Sequence, residues 1–359
     1  MLRSLIRCSH KLLQRLLTNS GFEDMDPRRM KANSQSSAIT KNDSNSVCQR
    51  ATSTPVCRLQ SQHSSEDSTQ LLYPESFQVL LTKIDTFIFD GDGVLWLGEN
   101  VISGSPLLID FLIKKNKRVI VLTNNATKSR AKAIVSPAVV VADMLRRAGI
   151  AGSSKVYLIG SKGVRDEMDE VGIDYFGYGP EPQDNSDDSA FIFDIQYEVD
   201  PDEVGAVVVG YEKHFNYHKL MKAANYLQRP HCLFLATNED ETCPGPHPHI
   251  LTPDAGPLVA AVRCASGREP VTAGKPNTPS FDYIRRQWNI TPERTMMIGD
   301  RLDTDIKFGR SHQMKTLLVL SGRHKLEDVM RNRAKGHFEM VPDYYSPSLE
   351  ALLDVNDQA

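Results

Sequence analysis

The chain has 359 residues, of which 40% are hydrophobic and 24% charged, with 42 Lys and Arg against 45 Asp and Glu. That balance is ordinary for a globular chain long enough for two domains. A net charge of -3, without a long basic run in the globular part, argues against a nucleic-acid partner. No run of about 18 apolar residues is present to span a membrane. The six cysteines, Cys8, Cys48, Cys57, Cys232, Cys243 and Cys264, are irregularly spaced and include no CxxC pair. This points to free thiols in a reducing compartment.

Residues 1–22 carry Arg3, Arg7, Lys11 and Arg15 and no acid. On a helix these bases fall opposite Leu2, Leu5, Ile6, Leu12, Leu13, Leu16 and Leu17. A basic amphipathic segment without acids has the pattern of a mitochondrial presequence, and an ordinary surface helix on a cytoplasmic protein is the alternative. Residues 31–70 hold ten serines and few aliphatic side chains. Such a composition buries too little apolar surface to offset ordering entropy. Residues 1–75 therefore read as presequence plus disordered linker.

From about Phe77 onward, short apolar runs follow one another: Thr86–Phe89, Arg118–Leu122, Val156–Ile159, Ala206–Val209, Cys232–Leu235, Thr295–Ile298 and Thr316–Leu320. Each has the length of a buried strand. Helices are predicted between several of them. One covers Tyr217–Leu227, with Asn216 as N-cap and Leu220, Ala224 and Leu227 on one face, and another covers Pro279–Trp288. Alternating strands and helices define an α/β class with a parallel sheet, in which ligands bind at the carboxyl ends of strands.

Four of those ends carry reactive groups. Asp90-Gly91-Asp92-Gly93 follows the first run; Asp90 can attack phosphorus and Asp92 can move a proton at the ester oxygen. Alone, the pair also fits an Asp-Gly turn. Thr123-Asn124-Asn125 ends the second run and can hold phosphate oxygens, although a helix cap would look the same. Lys275, between Gly274 and Pro276, presents one ammonium able to neutralise phosphoryl charge. Asp300, Asp303 and Asp305 crowd a fourth strand end and repel one another without a cation, which favours Mg²⁺. Together the clusters supply a nucleophile, a hydroxyl, a cation and a metal site, the parts of phosphoryl transfer. A phospho-receiver domain combines similar groups in about 120 residues, whereas about 150 residues separate Thr123 from Lys275 here.

In this order the clusters resemble the haloacid dehalogenase superfamily of phosphatases, over residues 76–359. The segments FDGDGVLWLG, LTNNATKSR, VVVGYEKHFNYHKL, LFLATNED, GKPN and IGDRLDTDI resemble the branch of phosphoglycolate phosphatase, pyridoxal phosphate phosphatase (chronophin) and the 4-nitrophenylphosphatases. The resemblance implies a doubly wound, Rossmann-like parallel core with an inserted α/β cap. The core would comprise residues 76–152 and 269–359, and the cap residues 153–268. Asp90 would be the nucleophile and Asp92 the general acid–base. Thr123, Asn124, Asn125 and Lys275 would bind the phosphoryl group. Mg²⁺ would be held by Asp90, the Asp92 carbonyl and Asp300, supported by Asp305. The cap also becomes a candidate surface for homodimerisation.

Departures from the family pattern bear on activity and substrate. Gly91 stands where the family usually has Cys, and Ala126 replaces a hydroxyl. Between TKSR and SPAVVVADMLRRAGI only Ala131–Val135 remains, where relatives carry about one more helix and strand. The expected consequence is a rearranged core or reduced activity. In the cap, Gly179–Pro182 resembles the phosphoglycolate branch and Tyr211 the pyridoxal branch. Cys243 replaces a His of the pyridoxal branch, and Asp254 replaces a Gly and adds negative charge that Arg263 is a candidate to offset. The expectation is a phosphatase of small phosphorylated metabolites, 2-phosphoglycolate-like acids favoured. A pyridoxal phosphate or protein phosphatase of the same branch, or a weak paralogue acting as a binding protein, are the alternatives.

Overall fold

The computed structural model describes residues 69–98, 100–126, 133–181, 197–243 and 250–354, all within one compact unit. The N-terminal segment expected to be presequence and linker therefore lies outside the described residues up to residue 68.

All seven apolar runs are strands, but they divide between two sheets. The first sheet has seven parallel strands in the spatial order Gln70–Leu71, Tyr344–Ser346, Lys315–Val319, Thr295–Gly299, Thr86–Phe89, Arg118–Leu122 and Ile134–Val135. Thr86–Phe89 is central and wholly buried. Side chains alternate across a strand, so Phe87 and Phe89 face one way and Ile88 the other. The phenylalanines meet the helices Pro74–Leu81 and Ser105–Lys114 through Phe77, Leu108 and Leu112. Ile88 meets the helices Pro137–Arg147 and Thr278–Trp288 through Val141, Leu145, Phe281 and Ile284. Each such side chain contributes on the order of 2 kcal/mol by leaving water. Helices on both faces make the core doubly wound.

The second sheet is inserted between Ile134–Val135 and Thr295–Gly299. Its parallel order is Val271–Thr272, Leu233–Ala236, Val204–Val209, Lys155–Ile159 and Tyr175–Phe176. Val271–Thr272, placed after the cap by sequence, thus adds the edge strand of the cap sheet. Val156, Leu158, Ala206 and Val208 join the apolar layer that includes Ile88, so cap and core share one continuous cluster.

Two expectations change. The sheet does not lose its edge strand at the shortened segment: Ile134 and Val135 pair with Val121 and Leu122. Two residues suffice because the strand is an edge and bonds on one side only; residues 127–132 lie outside the described residues. The cap helix is Tyr217–Tyr226, with the Asn216 side chain accepting from the Lys219 N–H at 2.9 Å as an N-cap should. Leu220 and Leu227 pack into the cap cluster as expected, and the buried face extends beyond them rather than centring on Ala224. Lys219, Ala223 and Tyr226 point inward, because Tyr226 packs against Tyr157 and Phe176.

Candidate active site

Three strand ends of the first sheet bring Asp90, Thr123, Asp300 and Asp305 together with Lys275 from the loop after Val271–Thr272, and all five are buried. Asp90 extends the central strand, its N–H bonded to Ile298 O at 2.9 Å. The Thr123 N–H bonds to Val135 O, so the two-residue edge strand holds that loop. Lys275 Nζ lies 2.5 Å from Asp90 Oδ1 and 2.8 Å from Asp305 Oδ1, and donates to Leu122 O at 2.7 Å. Asp300 Oδ2 accepts from the Arg323 N–H at 2.8 Å, and Asp305 Oδ2 from the Arg301 N–H at 3.1 Å. Gly93 has φ +95°, and a Cβ there would stand 2.5 Å from Asp300 Oδ2, so a side chain would displace the acid.

Three carboxylates share this floor with one ammonium. Burial pushes the Asp90 carboxyl well above its usual range; Lys275 pulls it back, and Asp305 and Asp300 push it further up. Burial and then Asp305 push Asp300 up to about 6. Burial lowers the Lys275 ammonium's pKa, but Asp305 and Asp90 more than offset this and hold it above the ordinary value. Oxygens of Asp90, Asp300 and Asp305 all lie within 4.8 Å of one another, and Asp300 Oδ1 is buried without a hydrogen-bond partner among the described residues. An orphaned buried carboxylate oxygen in an acid-rich cluster suits a hard divalent cation.

Above the floor is a cavity of about 660 Å³. Asp92, Asn124 and Asn125 line it from the core, and Tyr211, Asp240, Thr242, Cys243 and Asp254 from the cap. Burial, and then Asp254, raise the Cys243 thiol above its usual pKa. Burial also raises Asp254, although its contact with the Ala255 N–H opposes this.

Several side chains differ in what they touch from what sequence suggested. The Asn124 side chain grips the Lys275 loop. Its Oδ1 accepts from the Lys275 N–H at 2.8 Å, and its Nδ2 donates to Lys275 O and to Asp240 Oδ2. The Asn125 N–H bonds to Thr123 Oγ1. Arg263 does not line the cavity; it lies beside Glu239 and Glu269 and leaves Asp254 without that offset. In the Gly179–Pro182 segment, Gly179 O accepts from the buried Lys219 and Glu181 pairs with Lys222, so its described part braces the cap helix.

Sequence reasoning passed over Asp240 and Arg301. Asp240 Oδ1 meets Arg301 at 3.1 Å, joining the cap to the acidic loop. Its signal was available: Asp240 follows the Leu233–Ala236 strand, the same strand-end position that exposed the other clusters.

The haloacid dehalogenase-like hydrolase family model matches residues 87–134, and an HAD-hydrolase-like model matches residues 272–352. Human glycerol-3-phosphate phosphatase is 36% identical over 314 residues, covering 79% of this chain and 94% of that protein. Chloroplastic phosphoglycolate phosphatase 1A of Arabidopsis thaliana is 34% identical over 299 residues, covering 78% of this chain and 79% of that protein. The crystal structure of 4-nitrophenylphosphatase from Thermotoga maritima superposes with a TM-score of 0.60 at 29% identity, covering 76% of this chain and 97% of that chain. An α/β core with an acid-and-lysine floor at its strand ends defines a phosphoryl-transfer hydrolase. The chain belongs to the haloacid dehalogenase-like hydrolases and is a phosphoric monoester hydrolase.

Proposed function

We propose that this chain is a Mg²⁺-dependent phosphatase of small phosphorylated metabolites that works through an aspartyl-phosphate on Asp90. The observation carrying this reading is the buried Asp90–Lys275–Asp305 constellation beside the unpartnered Asp300 oxygen. Asp90, Asp300 and the Asp92 carbonyl would hold Mg²⁺, with Asp305 in support, and the ion would neutralise phosphoryl charge. Asp90 attacks phosphorus as the ester P–O bond breaks, while Asp92 gives its proton to the departing oxygen. Asp92 then takes a proton from water, whose oxygen attacks the same phosphorus and returns the Asp90 carboxylate and inorganic phosphate. Lys275 and Thr123 hold the phosphoryl oxygens.

Phosphate release from 4-nitrophenyl phosphate, absent after chelation and restored by Mg²⁺, tests the reading. Release unaffected by chelation overturns the metal dependence, and no release with any small ester overturns the enzyme reading in favour of a binding protein. Beryllium fluoride, which mimics the phosphoryl group, should inhibit.

The proposed substrates are compact esters. Cys243 and half-buried Tyr211 offer a poor pair of flat walls for a pyridoxal ring. Within the compact class, sequence favours 2-phosphoglycolate-like acids. Arg301, paired with Asp240, and Arg323 also line the cavity, but Asp254 faces it without Arg263; that charge penalises a substrate carboxylate and spares a neutral polyol such as glycerol 3-phosphate. Comparing kcat/KM for the two esters, with pyridoxal phosphate as a third, decides the order.

We also propose mitochondrial import through residues 1–22, on the strength of their opposed basic and apolar faces. A fluorescent fusion of residues 1–30 collecting in mitochondria supports it, and diffuse cytosolic signal rejects it.

A further inference from the structure

We propose that Trp96 is a positioning residue for Asp92, and that Gly91 is glycine because the indole needs its space; the inference rests on the acid–base role proposed above for Asp92. Trp96 Nε1 donates to Asp92 Oδ1 at 3.0 Å. The donor cannot swing freely. Trp96 is 5% exposed and belongs to the apolar cluster that includes Phe89, Val94, Leu95 and Leu108. Its backbone starts the hairpin Trp96–Leu97 with Asn100–Val101. The connecting turn is closed by Gly93 N–H to Trp96 O at 2.7 Å, and by the Leu95 and Trp96 N–H groups to Gly91 O at 2.9 and 3.1 Å. This turn sets residues 92 and 96 side by side and holds the indole N–H against the carboxyl group.

Gly91 completes the arrangement. A Cβ there would overlap Trp96 Cζ2 and stand 3.1 Å from Cε2, the carbon bonded to the donating nitrogen. A larger residue at 91 requires the ring or the backbone beside it to shift, which disturbs the donor edge that meets Asp92. The glycine in place of the family's usual cysteine thus has a structural reason in this chain.

The chemical consequence follows from the valence of a carboxyl group. With Oδ1 accepting from the indole, the transferable proton of Asp92 resides on Oδ2. Fixing one oxygen lowers the cost of orienting the acid in the transition state. The contribution belongs to leaving-group protonation. An alkoxide leaving group needs that proton, whereas a nitrophenolate departs without it. A change that merely loosens the fold would harm both esters alike.

The experiment measures kcat/KM of the full chain for glycerol 3-phosphate and for 4-nitrophenyl phosphate. This parameter reports steps up to departure of the leaving group, so the later attack of water does not enter it. Trp96→Phe keeps an aromatic ring and removes the donor. The expected result is a loss of about tenfold or more on the alkyl ester and less than about threefold on the aryl ester, a fraction of the full general-acid contribution. Gly91→Ala should shift the same ratio in the same direction. The ratio is internal to each preparation, so partial unfolding cancels. Asp92→Asn serves as the reference and should show the largest selective loss. Equal losses on both esters in Trp96→Phe, or none, overturn the positioning role while a selective Asp92→Asn leaves the acid role standing. Equal losses in Asp92→Asn remove the acid role and overturn both.

Discussion

The floor of the cavity is built from core side chains that are almost fully buried, whereas the cap lines its wall with side chains of intermediate exposure. Asp90, Lys275 and Asp305 are 7%, 3% and 1% exposed, and each is fixed by another charge. Tyr211, Asp240, Cys243 and Asp254 are of intermediate burial; Tyr211, Asp240 and Asp254 stand on loops and Cys243 in the two-residue strand Thr242–Cys243. A buried charge has no water to fall back on, so its partners are obligatory. A half-buried group keeps part of its hydration and can change at modest cost. If the roles proposed above hold, the floor is built for one chemistry and the cap wall is where the choice of ester would be set.

Substitutions can break that contrast or sharpen it. The largest effect should come from Asp90→Asn, because an amide cannot form the acyl phosphate. Turnover should fall by more than about 10³-fold, with the far-ultraviolet circular dichroism spectrum unchanged; residual activity within about tenfold of the parent removes Asp90 from its role. Lys275→Met should also abolish turnover and additionally destabilise the fold. It leaves Asp90 and Asp305 facing each other without the ammonium, a loss of about 3–5 kcal/mol in urea unfolding. A change below about 1 kcal/mol would mean the floor is less dry than its burial indicates.

On the cap side the effects should be smaller and fall on KM or selectivity. Asp240→Ala removes one acceptor of Asn124 and one partner of Arg301, leaving Lys275 O and Asp303. It should raise KM by about three- to tenfold while changing kcat less, as expected for an interaction that holds the cap over bound substrate. An equal loss in kcat alone would place Asp240 in the chemistry instead. The smallest effect should be that of Asp254→Gly. It removes one negative charge from the wall and should improve kcat/KM for 2-phosphoglycolate relative to glycerol 3-phosphate by a few-fold, about 1 kcal/mol of differential binding. An unchanged ratio would show that Asp254 is too well hydrated to be felt.

The same contrast explains what could be read without coordinates. The chain order of apolar runs determined the class of fold and the positions of its main strands; Thr86–Phe89 and Arg118–Leu122 coincide with the predicted runs to the residue. Local sequence does this well because a buried parallel strand needs only a short continuous apolar segment. The apolar runs by themselves could not divide between two sheets, because strands of either sheet are equally apolar; the division at residues 153–268 came from the family resemblance, and the two sheets follow it except for Val271–Thr272. Local sequence could not find Ile134–Val135 as a strand, since two residues carry no period. At the site, Asp90, Thr123 and Asp300 were legible because each follows a strand directly, and Lys275 because Gly274 and Pro276 frame it in a loop. That Lys275 bridges Asp90 and Asp305, that Asn124 holds the Lys275 loop, and that Arg263 turns away from the cavity were decided by the tertiary structure. A residue type limits which bonds are available, and only packing brings together partners about 150 residues apart.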